Sequence, residues 1–385
     1  MIMSWQETNS EQEKLKFIND WLKKEFTFSA LCKRYGISRP TGYLAVNRYI
    51  SEGVAGLLEQ SRAPHVIPHK TPASITARLL ELKYRFPSWG PKAIKHYLIE
   101  ENIPGNWPAA STIGEIFLEH GLVKPRKLRK KSPPHSAPLQ DCKAPNQSWS
   151  ADFKGQFKIK NGKYCYPLTI TDNFSRYLIM CEGLLSPNCD NALRCYENAF
   201  REYGLPDVIR TDNGQPFAGV GLGGLTRLSI WLLKLDIMPE RISLGCPQQN
   251  GRHERMHRTL KAAAIIPKKY SLIDQQEIFD NFKTEFNTMR PHQALGMKRP
   301  SEFYQKSIRQ MPDKIPEISY PDNFLIRKVR SNGETKFLGD NYYISELLCK
   351  ETIGLELIDE TRAIIYFGRL KLGMIDARLK KIIRP

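Results

Sequence analysis

Several features that would have directed the reading elsewhere are missing from this chain. Its eight cysteines are scattered and no Cys-x-x-Cys pair occurs, so a disulfide scaffold or a cysteine-held zinc site is not expected, and buried thiols in a reducing compartment are. No stretch is apolar for the roughly 18 residues that a membrane span needs. The N-terminus, Met-Ile-Met-Ser-Trp-Gln-Glu-Thr, has neither the basic region nor the apolar run of a signal peptide. No membrane partner is therefore expected, and the expected setting is the cytoplasm. Negative charge is also short: 58 basic side chains against 40 acidic ones leave a formal charge of +18. Residues 1–150 hold 22 of the bases and 13 of the acids, half of the excess. Such a balance points to nucleic acid or an anionic surface as partner. With 41% hydrophobic and 10% aromatic residues, the 385-residue chain has the composition of folded protein and the length of two to four domains.

Residues 1–62 read as a helical domain. Leu15, Ile18, Trp21 and Leu22 recur at helical spacing over Glu11–Lys24. A short helix over Phe28–Tyr35 ends at Gly36, and Ser38 caps a third helix with Pro40 in its first turn. Helix, glycine turn and capped helix form the helix-turn-helix pattern, in which Arg39, Thr41, Tyr43 and Arg48 could face a major groove; an ordinary small bundle is the plain alternative. Three further helices, Ile75–Tyr84, Pro91–Glu101 and Ser111–His120, make a second helical domain over 63–121, either a second DNA-binding unit or a packing or dimerisation domain. His65 and His69 have a plausible ligand spacing, but without paired cysteines zinc is not expected there. A linker follows over 122–145. Lys124, Arg126, Lys127, Arg129, Lys130 and Lys131 are clustered ahead of several prolines, as in a basic arm along a phosphate backbone or a solvated spacer.

From 146 to 310 the pattern becomes α/β: a run over Trp149–Ile159, a turn at Asn161-Gly162, strands over Tyr164–Thr171 and Tyr177–Cys181, then alternating helix and strand. A mixed five-stranded sheet flanked by helices is expected. Five short strands between Phe324 and Phe367 suggest a small β-barrel or sandwich over 320–385, of which the barrel is expected. Asp152 falls in the first strand, Asp212 just past the fourth, and Glu254 in a helix that opens after Asn250-Gly251. Acids converging from separate elements repel unless a cation joins them, so a divalent site is expected, with Asp152 bridging two ions, Asp212 completing one shell and Glu254 the other. His257, Arg258 and Lys261, at three, four and seven residues beyond Glu254, are expected on its helix face, offering cations to phosphates.

Trp149-x-x-Asp152-Phe, Asp207-Val-Ile-Arg-Thr-Asp212-Asn-Gly and Pro247-Gln-Gln-Asn-Gly-Arg-His-Glu254-Arg-x-His-Arg-Thr-Leu-Lys261 resemble the catalytic signature of insertion-sequence transposases with a retroviral-integrase-like core. The likeness covers about 145–305 and extends through Arg290-Pro291-His292-Gln293-Ala294-Leu295 and Arg299-Pro300-Ser301-Glu302. It implies an RNase H-like fold, an Asp152–Asp212–Glu254 triad, Mg²⁺ or Mn²⁺, and Lys261 near bound DNA. The implied partners are terminal inverted repeats, target DNA and further copies of the chain, in the nucleoid of a bacterium. An inactive helix-turn-helix regulator and an RNase H-like nuclease are the alternatives. The 41 residues between Asp212 and Glu254 exceed the interval usual in that family, and the excess maps to Phe217–Leu225, where four glycines predict a flexible loop.

Overall fold

The computed structural model describes residues 10–58, 70–125, 142–219, 221–243, 246–266 and 268–384. The chain divides into two compact units, Met1–Lys70 and Thr71–Pro385. In the first, α1 (Ser10–Lys23), α2 (Phe28–Arg34) and α3 (Arg39–Glu52) surround Phe17, Ile18, Leu31, Cys32, Val46 and Leu57. Their starts are set locally. Thr27 Oγ1 accepts from the Ala30 amide at the head of α2, and Ser38 Oγ accepts from the Thr41 amide at the head of α3. Between the two helices Gly36 takes φ +65°, which lets the chain reverse where a side chain would be strained.

The second unit begins with α4 (Ala73–Arg85), α5 (Pro91–Glu100) and α6 (Ala110–Glu119), closed around Leu79, Trp89, Ile94, Leu98 and Phe117. Next come β1 (Ser148–Phe153), β2 (Phe157–Lys158), β3 (Tyr164–Asp172) and β4 (Leu178–Leu184). They are followed by α7 (Cys189–Tyr203), β5 (Val208–Thr211), α8 (Arg227–Lys234), β6 (Met238–Arg241), α9 (Gly251–Leu260) and α10 (Leu272–Thr288). The strands form one mixed sheet. β1 runs antiparallel to β3 and parallel to β5, β4 is antiparallel to β3, and β6 is parallel to β5. The run Trp149–Ile159 breaks at Lys154–Gln156 and yields both β1 and β2, so six strands stand where five are expected.

Alternation along the strands sorts side chains between two faces. Trp149, Ala151, Leu168, Ile170 and Ile209 join Tyr196, Phe200, Leu228 and Leu232 of α7 and α8 in one core. On the other face Cys165, Leu178 and Cys181 pack with Met256 and Leu260 of α9 and Phe279, Phe282 and Phe286 of α10. The helical block α4–α6 is fastened to this layer. Trp89 Nε1 donates to Glu285 Oε1 at 2.6 Å, Arg290 donates to Ser88 Oγ at 2.9 Å, and Arg299 pairs with Glu100 and Glu101 at 3.1 and 2.8 Å.

The C-terminal strands are β7 (Phe324–Lys328), β8 (Glu334–Phe337), β9 (Asp340–Tyr343), β10 (Thr352–Leu357), β11 (Arg362–Phe367), β12 (Leu370–Asp376) and β13 (Lys381–Ile383). They do not close into the expected barrel. β13-β12-β11-β10-β7 is an open antiparallel sheet, and β8 pairs with β9 alone. The physical reason lies beneath the sheet: Ile353, Leu355, Ile365, Leu372 and Ile375 pack on Leu222, Leu225, Ile230 and Leu233. An apolar face already covered by another layer gains nothing by closing on itself.

The same contacts overturn the expectation of a flexible glycine loop. Leu222–Gly224 forms a tight turn, and Arg241 donates to the carbonyls of Gly223 and Gly224 at 3.1 and 2.7 Å. Gly223 and Gly224 have φ +64° and +61°, and a Cβ on Gly223 would stand 2.6 Å from Leu372 Cδ2. Glycine here serves backbone shape and close approach. Among the described residues no helix is long and apolar enough to cross a membrane.

Candidate active site

Register brings two of the acids together. β1 and β5 run parallel with Ser148 beside Val208 and Ser150 beside Arg210; the same offset carried two residues further sets Asp152 next to Asp212. Because Trp149 and Ala151 belong to the α7 side, Ser150 and Asp152 face α9. Asp212 stands just after β5, where its Oδ1 accepts the Gly214 amide at 3.0 Å and turns the chain. Glu254 lies in the first turn of α9 and is exposed. The three share one electrostatic environment. Burial first, then the charge of Asp212 and to a lesser degree that of Glu254, push the Asp152 carboxyl up to about 7, against the pull of the Phe153 amide and Lys154. Hard oxygen donors of this kind are a donor set suited to a divalent cation.

α9 carries three stripes. His253, His257 and Leu260 face the sheet and are buried, while Glu254, Arg258 and Lys261 share an exposed stripe. His257 is therefore corrected: it sits 5% exposed against the sheet, since the spacing of three from Glu254 leads to the apolar side of the helix. Thr169 Oγ1 lies 2.8 Å from His253 Nε2 and 2.7 Å from His257 Nε2, and Thr171 Oγ1 lies 2.8 Å from His253 Nδ1. His257 Nδ1 is 3.7 Å from Asp152 Oδ2. Burial drives both imidazoles down, His253 to about 3 and His257 to about 2, so both are neutral.

Ligand atoms of Asp152, His253 and His257 fall within 4.8 Å of one another. Both nitrogens of His253 and Nε2 of His257 already face hydroxyls, which makes the cluster a hydrogen-bonded brace behind Asp152. His253 has no place in the sequence expectation. The spacing that would have found it is His-Glu-x-x-His at 253–257, here with the histidines inward and the Glu outward.

The expected DNA contacts are distributed as follows. Arg258 and Lys261 keep the exposed side of Glu254, and at Lys261 the helix widens into a π turn over Lys261–Ile265. On α3, Arg39 and Tyr43 lie on one flank, with Arg39 donating to Ser29 Oγ at 2.7 Å and Tyr43 stacked on Phe28 at 4.1 Å. Thr41 and Arg48 lie on the other flank, and Leu44, Asn47 and Ser51 occupy the exposed middle. Lys127, Arg129 and Lys130 of the basic linker, like His65 and His69, lie outside the described residues.

Parts of the chain match known protein families. Residues 143–247 and 235–300 match two integrase core domain families, residues 13–65 a helix-turn-helix domain and residues 41–117 a homeodomain-like domain. A 31.7 kDa protein of insertion element IS407 from Burkholderia multivorans is 27% identical over 60% of this chain and 81% of its own length. A 39.2 kDa protein of insertion element IS476 from Xanthomonas euvesicatoria is 24% identical over 74% of this chain and 79% of its own. The transposase for insertion sequence element IS904 from Lactococcus lactis is 27% identical over 42% and 62%. With an integrase core behind helix-turn-helix segments and relatives encoded by insertion elements, the chain is similar to insertion-sequence transposases, and its integrase core is that of a polynucleotidyl transferase.

Proposed function

We propose that the chain recognises the terminal inverted repeats of a mobile element and performs 3′-end cleavage followed by strand transfer, with Asp152, Asp212 and Glu254 as the catalytic acids. In this reading residues 1–62 and 63–121 are the DNA-binding segments, 122–145 a basic connector, 146–310 the catalytic core and 320–385 an accessory β domain. The three carboxylates would hold two Mg²⁺ or Mn²⁺ ions, which when bound supply an activated attacking oxygen and a stabilised leaving oxygen. The remaining work belongs to side chains of this protein. Thr169, His253 and His257 brace Asp152 from the α9 side, fixing the direction of its carboxylate. Arg258 and Lys261, one and two turns beyond Glu254, hold phosphates of the strand being cut.

Hydrolysis at each element end leaves a 3′-hydroxyl. That hydroxyl then attacks a target phosphodiester: one P–O bond forms, another breaks, and no covalent protein intermediate is needed. Joining two ends calls for at least two protomers, so the working form is a DNA-assembled dimer or larger, acting in the cytoplasm at the nucleoid. The observation that supports this reading most is the β1–β5 register that sets Asp152 beside Asp212, with Glu254 near enough to act on the same carboxyl.

Strand-transfer assays with pre-cut element ends and Mg²⁺ test it. Asp152→Asn, Asp212→Asn and Glu254→Gln should each lower joining by about a thousand-fold or more, with end binding in mobility shift nearly unchanged. Joining at the unsubstituted rate by any of the three would overturn the assignment, and nicks without joining by the unsubstituted chain would make it a nuclease.

A further inference from the structure

The third stripe of α9 faces neither the sheet nor the acids. Arg252, Arg255 and Thr259, at i, i+3 and i+7, line a cavity of about 980 Å³ on the flank of the helix away from Glu254. Its other wall is the head of α5, at Gly90, Lys92 and Ala93, so the helical block and the core build it together. Arg176 and Arg290 complete a cationic rim supplied from four separate segments of the chain. The acid that lines it among the described residues, Asp172, is buried, with its carboxylate accepting from the amides of Asn146 and Ser175 and from Ser175 Oγ at 2.8, 2.7 and 2.6 Å. That carboxylate is committed to the loop, while Lys92 and Arg255 are exposed on the rim. The floor is apolar: Met256, Phe286, Pro291 and Met297.

A cationic rim over an apolar floor suits a polymer with charge on one side and flat apolar groups on the other. Unpaired DNA has that character, with phosphates for the rim and uncovered bases for the floor. A duplex turns its bases inward and would set phosphates over Met256, Phe286 and Met297 without contacting them. We propose that this groove holds an unpaired DNA strand, and that α4–α6 serve as the outer wall of a strand-binding channel whose inner wall is α9. The inference rests on the proposed function only in supplying the source of that strand, since cutting at an element end frees unpaired DNA.

The test uses the full-length chain and two fluorescent probes, an oligothymidylate and a duplex of equal length, titrated across a salt series. Lys92 and Arg255 are both exposed, so Lys92→Glu combined with Arg255→Glu should leave thermal melting unchanged. Single-strand affinity should fall about ten-fold or more, and the slope of log affinity against log salt should flatten by roughly 1.4, about 0.7 for each lost phosphate contact. Duplex affinity should change less than about three-fold on the same scale. Unchanged single-strand binding, or equal losses for both probes, overturns the proposal. If the double variant melts early, Lys92→Gln and Arg255→Gln singly carry the same measurement. Asp152→Asn separates the two ideas: it should keep single-strand binding while losing cleavage, so failure of the triad and failure of the groove are read from different experiments.

Discussion

The sharpest quantitative consequence concerns Asp152 in the absence of metal. Its carboxyl is raised from 3.8 to about 7 by burial and by Asp212, so the folded chain binds this proton more tightly than the unfolded chain does. Below pH 3.8 both states hold the proton and the group is neutral to stability. Between 3.8 and about 7 the unfolded chain releases it first, so stability falls as pH rises, and above about 7 the loss is complete. Three units at about 1.4 kcal/mol each set a ceiling of roughly 4 kcal/mol; the side chain is 22% exposed, and about 2–4 kcal/mol is the working range. Asp152→Asn removes the charge and keeps the shape. At pH 8 without divalent ions the variant should therefore melt above the unsubstituted protein, by roughly 3–6 °C, and the gap should vanish near pH 4. Millimolar Mg²⁺ should close it from the other side, because an ion held by the ionised carboxylate stabilises only the unsubstituted chain. Thermal melts at pH 4, 6 and 8 with EDTA or Mg²⁺ decide the matter. A variant that melts lower at pH 8, or a gap independent of pH, would refute the account of Asp152 as a strained member of an acid cluster.

Other consequences can be read separately. His253 and His257 are held neutral at about 3 and about 2, so below 6.5 the unfolded chain binds protons that the folded one does not. Stability should fall by up to about 1.4 kcal/mol per pH unit for each histidine as pH drops, against the opposite contribution of Asp152, and His253→Gln should make the slope less steep by up to about 1.4 kcal/mol per unit in urea titrations between pH 6.5 and 5. His257→Ala should cost about 2–4 kcal/mol by the same titration, through a void and the loss of one of the Thr169 hydroxyl's partners, and a variant as stable as the parent would remove the brace from the mechanism. Gly224→Ala adds a Cβ at φ +61° where Arg241 is packed, and a loss of about 1–3 kcal/mol is expected; a neutral effect would mean that the turn can open. Arg258→Ala and Lys261→Ala should each flatten the salt dependence of element-end binding by about 0.9, and unchanged slopes would place the DNA elsewhere.

What the sequence made legible follows from how local each signal is. The cap at Ser38, the turn at Gly36 and the strand over Tyr164–Thr171 are signals that act within a few residues, and those elements stand where the sequence puts them. Asp152 and Asp212 could be set on strand and strand end, but only the β1–β5 register makes them neighbours, and register is a property of two strands 60 residues apart. His257 went to the wrong side because a spacing of three or four spans a wide arc of a helix, and the sequence does not say where the sheet lies. β12 and β13 had no sequence expectation, their apolar residues being interleaved with Lys371, Lys381 and other charges. The groove rim, drawn from Lys92, Arg176, Arg252, Arg255 and Arg290, has no sequence signature at all, because only folding assembles it.

The turn at Leu222–Gly224 carries a further implication for how this protein can vary. Leu222, Leu225, Ile230 and Leu233 are shared property of the core and the C-terminal sheet, and Lys234 pairs with Glu351 across the same boundary. The long interval between Asp212 and Glu254 and the sheet that rests on it are therefore linked traits. A chimera that kept the extension and lost the sheet would show water four apolar side chains, and one that kept the sheet and lost the extension would strip it of its floor. Lineages that exchange C-terminal domains must trade both pieces together.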